Sequence, residues 1–356
     1  MTAPTAFPTL RGQQVLVTGA TGFTGSHLVT ALLREGARVR ALVRSSSAVT
    51  LLVAQGAQLV VGDIRDSQAV DEAVAGCDQV YHLAALYRDA SAPRHAYWDV
   101  NVVGTEHILA ACERHRVKRL IHCSTMGVHG NVSRIPSDEA APFNPKDEYQ
   151  RAKLVGEERV WSWYRRTGIP ATVIRPAGIY GPGDLRFLKL FRAIQGGYFA
   201  MLGRGQTWFH PVYIDDLLQG FLRCGTAPSA VGEVFCISSG EPIRLNDFMA
   251  LIAQAVQTPA PRWHLPIWPF YAAGALCEAA CVPFQINPPL YRRRVDFFTH
   301  NRAFTSAKAR RLLGYVSQVD HADGLRRTAR WYESHGHLKP IRNGRAGTYG
   351  LAEARS

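Results

Sequence analysis

The chain has 356 residues, 47% hydrophobic and 19% charged, which supplies a sizeable buried core and excludes a disordered chain. Its 41 Lys and Arg against 28 Asp and Glu give a net charge of +13, which suits an anionic cofactor, an acidic membrane surface or nucleic acid. Arginine is spread along the chain without an aromatic-interleaved basic stripe, which argues against nucleic acid.

Seven cysteines, an odd number with no C-x-x-C pair, point to reduced thiols in a cytoplasmic compartment rather than to disulfides or zinc. The thirteen histidines show no ligand-like spacing, so no metal is expected. The first dozen residues lack a charged region followed by an apolar run, so no signal peptide is expected. Residues 1–12 and the Gly/Arg-rich stretch 340–356 read as loose ends.

In chain order, Gln14 to Val17 reads as a buried strand, and Phe23, Leu28, Leu32 and Leu33 as one face of a helix. Between them stand Gly19, Gly22 and Gly25. A strand that runs through a glycine turn into a helix presents free N–H groups and a positive helix end to an anionic ligand. Gly19 would permit the turn, Gly22 the approach of a pyrophosphate, and Gly25 close packing of helix on strand. The spacing GxxGxxG departs from GxGxxG, but the strand and the helix that the motif requires are both present.

Arg38 to Arg44 reads as a second strand, followed by Ser45, Ser46 and Ser47. A carboxylate at this strand tip would accept from a ribose 2′ hydroxyl, yet no Asp or Glu lies between Glu35 and Asp63. Arg44 suits a 2′-phosphate instead, so NADP(H) is expected in preference to NAD(H). Gln58 to Asp63 is a third strand, with Asp63 and Ile64 placed to flank an adenine, and Ser67 to Ala75 a short helix. Gln79 to Ala85 is a fourth strand, ending in small residues, and Tyr97 to Arg116 a long helix carrying Asn101, Gly104 and Thr105. Lys118 to Thr125 is a fifth strand, ending in Ser124 and Thr125. A helix from Glu148 to Arg166 carries Tyr149 and Lys153 one turn apart on one face, and Ala171 to Pro176 is a sixth strand. Strands alternating with helices imply an α/β fold whose parallel sheet has helices on both faces.

Beyond Gly183 the rhythm loosens. Leu185 to Ile194, Asp216 to Leu222, Asn246 to Val256, Ser306 to Leu313 and Asp323 to His335 read as helices, and Glu233 to Ile237 as a strand. Leu265 to Phe284 approaches a membrane-spanning window, but Pro266, Pro269, Glu278 and Pro283 interrupt it. Two readings stay open for this stretch. It is a lid over an apolar pocket, or it dips into a membrane interface while Arg292, Arg293 and Arg294 meet anionic headgroups.

The chemistry gathers at Tyr149 and Lys153. A cationic lysine favours the phenolate of a nearby tyrosine, lowering its pKa from about 10. Such a pair exchanges a proton with an alcohol or carbonyl while a nicotinamide exchanges the hydride. A further hydroxyl, from Ser124 or Thr125, would orient the substrate oxygen.

These residues resemble an extended short-chain dehydrogenase/reductase, in the NAD(P)-dependent epimerase/dehydratase superfamily. The matching segments are T-G-A-T-G-F-T-G (Thr18 to Gly25), G-D-I (Gly62 to Ile64), H-L-A-A (His82 to Ala85), N-V-V-G-T (Asn101 to Thr105), C-S-T-M-G-V-H-G (Cys123 to Gly130), Y-Q-R-A-K (Tyr149 to Lys153), R-P-A-G-I-Y-G-P-G-D (Arg175 to Asp184) and V-Y-I-D-D (Val212 to Asp216). The resemblance implies a Rossmann-like NAD(P)-binding domain over 13–180, with returning segments near 208–240, and a smaller α/β substrate domain mainly over 181–339. It puts Gly19, Thr21, Gly22, Phe23, Thr24, Gly25, Arg44, Asp63, Ile64, Leu83, Ala84, Ala85, Tyr149, Lys153 and Pro176 at the cofactor. Counted back from Val128-His129-Gly130, the family's catalytic hydroxyl falls on Thr125. Tyr149 and Lys153 complete the catalytic set, with Ser124 and Asn101 in support.

Sugar-nucleotide relatives usually carry an asparagine where this chain has Gly178. The R-P-x-x-I-Y-G form, and the ending around Ser306 to Tyr315, are similar to the 3β-hydroxysteroid dehydrogenase-like and dihydroflavonol reductase-like branch. His129 stands where the family often has tyrosine. The resemblance implies an NAD(P)-dependent oxidoreductase interconverting a ketone and a secondary alcohol on an apolar, sterol-, polyketide- or lipid-like substrate. The alternative is an epimerase or dehydratase that reduces its cofactor transiently. A third reading is a cofactor-sensing protein without turnover. A homodimer through the family's two long helices is expected.

Overall fold

A computed structural model describes residues 9–87, 92–281 and 292–341. The expected loose ends at 1–8 and 342–356, and residues 282–284 of the apolar window, lie outside the described residues, as do the side chains of Glu278 and Arg292 to Arg294.

The first half runs β1 (Gln14–Thr18), α1 (Phe23–Arg34), β2 (Arg38–Val43), α2 (Thr50–Ala54), β3 (Gln58–Val61), α3 (Ser67–Val74) and β4 (Gln79–His82). Next come α4 (Arg94–Trp98), a π-helical turn (Asp99–Val103), α5 (Gly104–Arg114), β5 (Arg119–Cys123), a 3-10 turn (Met126–His129), α6 (Glu148–Thr167) and β6 (Ala171–Pro176). The second half opens with β7 (Gly178–Tyr180), α7 (Leu188–Gln195), β8 (Met201–Leu202), β9 (Trp208–Phe209), β10 (Pro211–Tyr213) and α8 (Ile214–Thr226). It closes with β11 (Val234–Ile237), β12 (Ile243–Arg244), α9 (Leu245–Ala255), β13 (His264–Leu265), α10 (Ile267–Cys281), α11 (Arg292–Thr299), α12 (Ala307–Leu313) and α13 (His321–Ser334).

Seven parallel strands form one sheet in the order β11-β6-β5-β4-β1-β2-β3. Alternation along β1 supplies both faces: Val15 and Val17 pack with Leu28 of α1 and Leu217 of α8, while Leu16 packs with Val70 of α3, Ile108 of α5 and Val160 of α6. The strand order reverses between β1 and β4, so a crevice opens above their carboxyl ends, where doubly wound Rossmann-like folds hold ligands. A separate core around Phe191, Phe248, Leu325 and Tyr332 joins α7, α9 and α13. It stands beside that crevice and supplies its outer wall.

Two expected elements differ. The helix read over Tyr97 to Arg116 is three pieces, because the π turn inserts a residue at Asn101. The Asn101 carbonyl accepts from the Thr105 hydroxyl at 2.8 Å, and its amide group is bound to Leu86 instead of facing along the helix. In the apolar window, Pro269 does not stop a helix: it is the third residue of the 15-residue α10, in the turn whose N–H groups need no intrahelical partner.

Candidate active site

The glycine loop is forced by contact. Gly19 has φ +71°, and a Cβ there would stand 2.8 Å from the Ala84 backbone nitrogen. A Cβ on Gly25 would stand 2.0 Å from the Gly19 carbonyl oxygen, so α1 can lie this close to β1 only without a side chain at that point. Gly22 has its nearest such contact at 3.3 Å, from the Gly19 oxygen, and its outer side is open. As N-cap of α1, Gly22 brings no side-chain hydrogen bond, and no acid occupies the first turn. The positive end of α1 is thereby left for an exogenous anion. The pyrophosphate of a dinucleotide fits this cradle.

That cradle opens into a cavity of about 870 Å³. Gly19, Gly22, Phe23, Thr24, Gly25, Leu83, Ala85, Ser124, Thr125, Tyr149, Lys153 and Pro176 all line it. Thr21, Ala84 and Asn101 stand outside the lining. Thr21 is exposed on the loop, Ala84 donates its N–H to the Thr18 hydroxyl at 3.1 Å, and Asn101 is fully buried. Asn101 accepts from the Leu86 N–H at 3.1 Å and donates to the Leu86 carbonyl at 3.2 Å, so its amide braces the segment after β4.

Arg44, Asp63 and Ile64 also stand outside the lining, beside one another at the tips of β2 and β3. Arg44 is exposed, its carbonyl accepts from the Ser47 N–H at 2.9 Å, and its guanidinium makes no hydrogen bond or ion pair among the described residues. Asp63 is gripped by Arg65 through two 2.9 Å side-chain bonds, and this pairing holds its carboxyl below the usual range. Ile64 is turned into the core against Gly104, where an added Cβ would meet it at 2.8 Å. Of these three, Arg44 is the one whose charged head is unengaged.

Asp147 caps α6 by accepting from Gln150 N–H at 2.8 Å, which sets Tyr149 and Lys153 in its first turns. Tyr149 is 8% exposed and meets Tyr87 edge to face at 5.0 Å. Lys153 is 1% exposed, and burial lowers its pKa, with Cys123 and Glu157 acting the other way. Thr125 accepts from the Gly127 N–H at 3.1 Å, which leaves its own O–H to donate. The neighbouring Ser124 hydroxyl is buried and has no partner. Both residues line the cavity, and Thr125 is the more exposed of the two.

Behind this set lies a buried cluster that the sequence reading missed. Arg175 pairs with Glu157 through two hydrogen bonds, one of them 3.1 Å from Nε, and donates to His129 Nε2 at 3.0 Å and to the Glu139 carbonyl at 3.1 Å. Because arginine only donates, His129 Nε2 is the acceptor and its Nδ1–H donates to the Pro142 carbonyl at 3.3 Å. Burial, with Arg175 adding to it, pushes His129 down to about 4. His129 thus ties the loop after β5 to β6 and does not line the cavity. The readable signal was Arg175 inside an otherwise apolar strand, which demands an acid partner.

The far wall is apolar. Phe187, Phe199, Phe209, Phe297 and Phe298 line it, and the edge of Phe209 fills the space next to Gly178, 3.1 Å from an added Cβ. Arg186, Lys189 and Arg302 add positive charge. Arg186 is itself held by Asp184 at 2.5 Å.

Residues 15–238 match the model of the NAD dependent epimerase/dehydratase family. Among curated proteins the chain is 32% identical over 319 residues to the 4-hydroxy-2-methyl-3-oxo-4-farnesyl-3,4-dihydroquinoline-1-oxide ketoreductase of Stigmatella aurantiaca, covering 88% of this chain and 94% of that one. It is 31% identical over 324 residues to the N-acetyl-alpha-D-glucosaminyl-diphospho-ditrans,octacis-undecaprenol 4-epimerase of Escherichia coli O157:H7, covering 89% and 94%. The crystal structure of UDP-glucuronic acid 4-epimerase from Bacillus cereus in complex with NAD superposes with a TM-score of 0.72 at 24% identity, over 90% of this chain and 99% of that one.

Proposed function

The chain belongs to the NAD dependent epimerase/dehydratase family, as an extended short-chain dehydrogenase/reductase, and from that premise we propose that it interconverts a ketone and a secondary alcohol on a lipid-like substrate. The carrying observation is the five-phenylalanine wall in the same cavity as Thr125, Tyr149 and Lys153. Apolar walls of this kind bind by area removed from water, about 25 cal/mol per Å². Phe209 beside Gly178 adds to the case, since it puts hydrocarbon where sugar-nucleotide relatives usually carry a polar asparagine.

Thr125 donates its O–H to the substrate oxygen. Tyr149 donates a proton to that oxygen in reduction and takes it back in oxidation, and Lys153 holds positive charge beside the phenol. The Arg175–Glu157 pair gives the nearest buried carboxylate a partner of its own, while the charge of Glu157 still favours the protonated form of Lys153. A nicotinamide dinucleotide, bound by the glycine loop, supplies or accepts the hydride. Arg44, with Ser45 and Ser46, selects the form with a 2′-phosphate. Residues 13–180 serve mainly the cofactor and 181–339 mainly the substrate, and two chains pair through α5 and α6.

One observation favours a second reading. Arg186, Lys189 and Arg302 in the lining suit a diphosphate, and one relative is named as an epimerase of a diphospho-undecaprenol sugar. Both relatives' names carry a polyprenyl chain, so an apolar tail is common to both readings. A panel of long-chain ketones and alcohols, assayed for NADPH oxidation or NADP reduction beside prenyl-diphospho sugars, separates them. Net cofactor consumption with ketones supports the first reading, and epimerised product without net consumption replaces it.

A further inference from the structure

Among its described side chains, helix α10 shows no polar face. Its exposed positions include Trp268, Tyr271, Ala272, Ala273, Leu276, Ala279 and Ala280, with Trp268 74% and Leu276 72% exposed. The short strand before it adds Leu265, and Trp263, 72% exposed, stands just ahead of that strand. From Trp263 to Cys277 the chain carries no Asp, Glu, Lys or Arg. A helix on a globular surface ordinarily turns charged residues outward, and one that is apolar all round belongs in a core or against lipid.

We propose that α10 and β13 form a docking surface for an anionic lipid bilayer, lying in its interface. Tryptophan and tyrosine favour the headgroup boundary, where an aromatic body meets hydrocarbon and its polar edge meets water. The adjoining sequence is cationic: Arg262 precedes β13, and Arg292-Arg293-Arg294 begin α11, a helix that packs against α10, in a chain of net charge +13. That charge complements anionic headgroups and opposes a second copy of the same basic chain. At about 1.5 Å per residue α10 is too short for a hydrocarbon layer of about 30 Å, and no helix among the described residues is long and apolar enough to cross a membrane. It therefore lies on the surface and does not span.

The patch is also continuous with the cavity. Phe297 and Phe298 of α11 line the apolar wall, β13 pairs with β8 just after the cavity residue Phe199, and Ile267 packs on Gly203, 2.6 Å from an added Cβ. A lipid-like substrate would pass from the bilayer to the apolar wall along one set of elements. The surface rests on the geometry of α10 and holds for either direction of chemistry.

The test is sedimentation of the full chain with phosphatidylcholine vesicles, with and without phosphatidylglycerol. At low salt the protein should pellet with the anionic vesicles and be released by added salt. Trp268→Ser with Leu276→Ser should reduce partition at least about tenfold per residue, from the lost apolar burial. NADPH binding and melting temperature should be unchanged, since neither residue lines the cavity. Quenching of tryptophan fluorescence by brominated acyl chains reads the same contact in the unmodified chain. Protein left in the supernatant with both vesicles, equal partition into uncharged vesicles, or a dimer that the double variant dissolves would overturn the proposal.

Discussion

Tyr149 and Arg44 carry the two decisions that single side chains make, proton transfer and choice of cofactor. Tyr149→Phe removes one oxygen from a ring held edge to face by Tyr87, so the packing remains. Cofactor affinity should stay while turnover falls about 10²–10⁴-fold, the usual worth of a general acid–base. Activity within a few-fold of the parent on a verified substrate would remove Tyr149 from the chemistry. Arg44 is a sharper case, since its neighbour Asp63 gives its hydrogen bonds to Arg65 and meets Arg44 only through space. Arg44→Ala should weaken NADPH binding about tenfold or more, from one charge-assisted hydrogen bond, and leave NADH nearly unchanged. Arg44→Asp should reverse the preference, because its carboxylate repels the phosphate and accepts from free ribose hydroxyls. Titration of both cofactors against both variants decides it, and equal losses would reduce Arg44 to a loop residue.

At the scale of elements, the turn from β1 into α1 separates a packing glycine from a binding glycine. Gly25→Ala drives a Cβ into the Gly19 carbonyl, a backbone atom that cannot swing aside, and should cost about 1–3 kcal/mol of stability as well as cofactor affinity. Gly22→Ala meets only the Gly19 oxygen, at 3.3 Å, a contact that a shift of a few tenths of an ångström relieves, so its melting temperature should fall far less than that of Gly25→Ala while NADPH binding weakens, because the methyl stands where phosphate oxygens would approach. Paired melting and binding curves read the difference, and equal melting temperatures for the two variants would refute it. This turn was legible because strand, glycines and helix are contiguous, and Tyr149 and Lys153 because helical spacing alone puts them on one face. What sequence could not show depends on distant partners. The phenylalanine wall draws on residues from 187 to 298, and β7 pairs with β10 over only three residues each. Asn101 bulges out of its helix to reach Leu86, a contact no local pattern encodes. At Pro269 the error was local: the residue was weighed as a breaker without its place in the first turn of α10.

The molecule as a whole should be sensitive to mild acid, because it buries neutral histidines under the site. His82, 1% exposed, stands between the Thr18 hydroxyl at 2.8 Å and the Thr105 hydroxyl at 3.0 Å, and burial with the charge of Lys153 pushes it down to about 3. Its neighbour His122, 5.2 Å away ring to ring, has neither nitrogen bonded and is shifted the same way, while His210 is pushed to about 4 like His129. An unfolded histidine titrates near about 6.5, so below that pH the unfolded chain binds protons that the folded chain refuses. The contribution of each group is therefore fully present above about pH 6.5 and is lost as pH falls toward its folded value. Each loss runs at about 1.4 kcal/mol per pH unit, so one such histidine costs about 2 kcal/mol by pH 5. Several together rival the 5–15 kcal/mol that holds a typical domain. Glu139 and Asp215, which burial raises, work in the opposite sense, so what they contribute as they take up protons subtracts from the fall. Urea unfolding between about pH 7 and pH 5 should show a steep fall in stability, with His82→Gln shallower by the share of one group, since glutamine can accept from Thr18 and donate to Thr105 without a proton to gain. A flat profile across that range would mean that the histidines take up protons without unfolding. NADPH affinity followed over the same range should hold until stability fails, because Thr18, which bonds both His82 and the Ala84 N–H, links protonation of β4 to the glycine loop only through loss of the sheet itself.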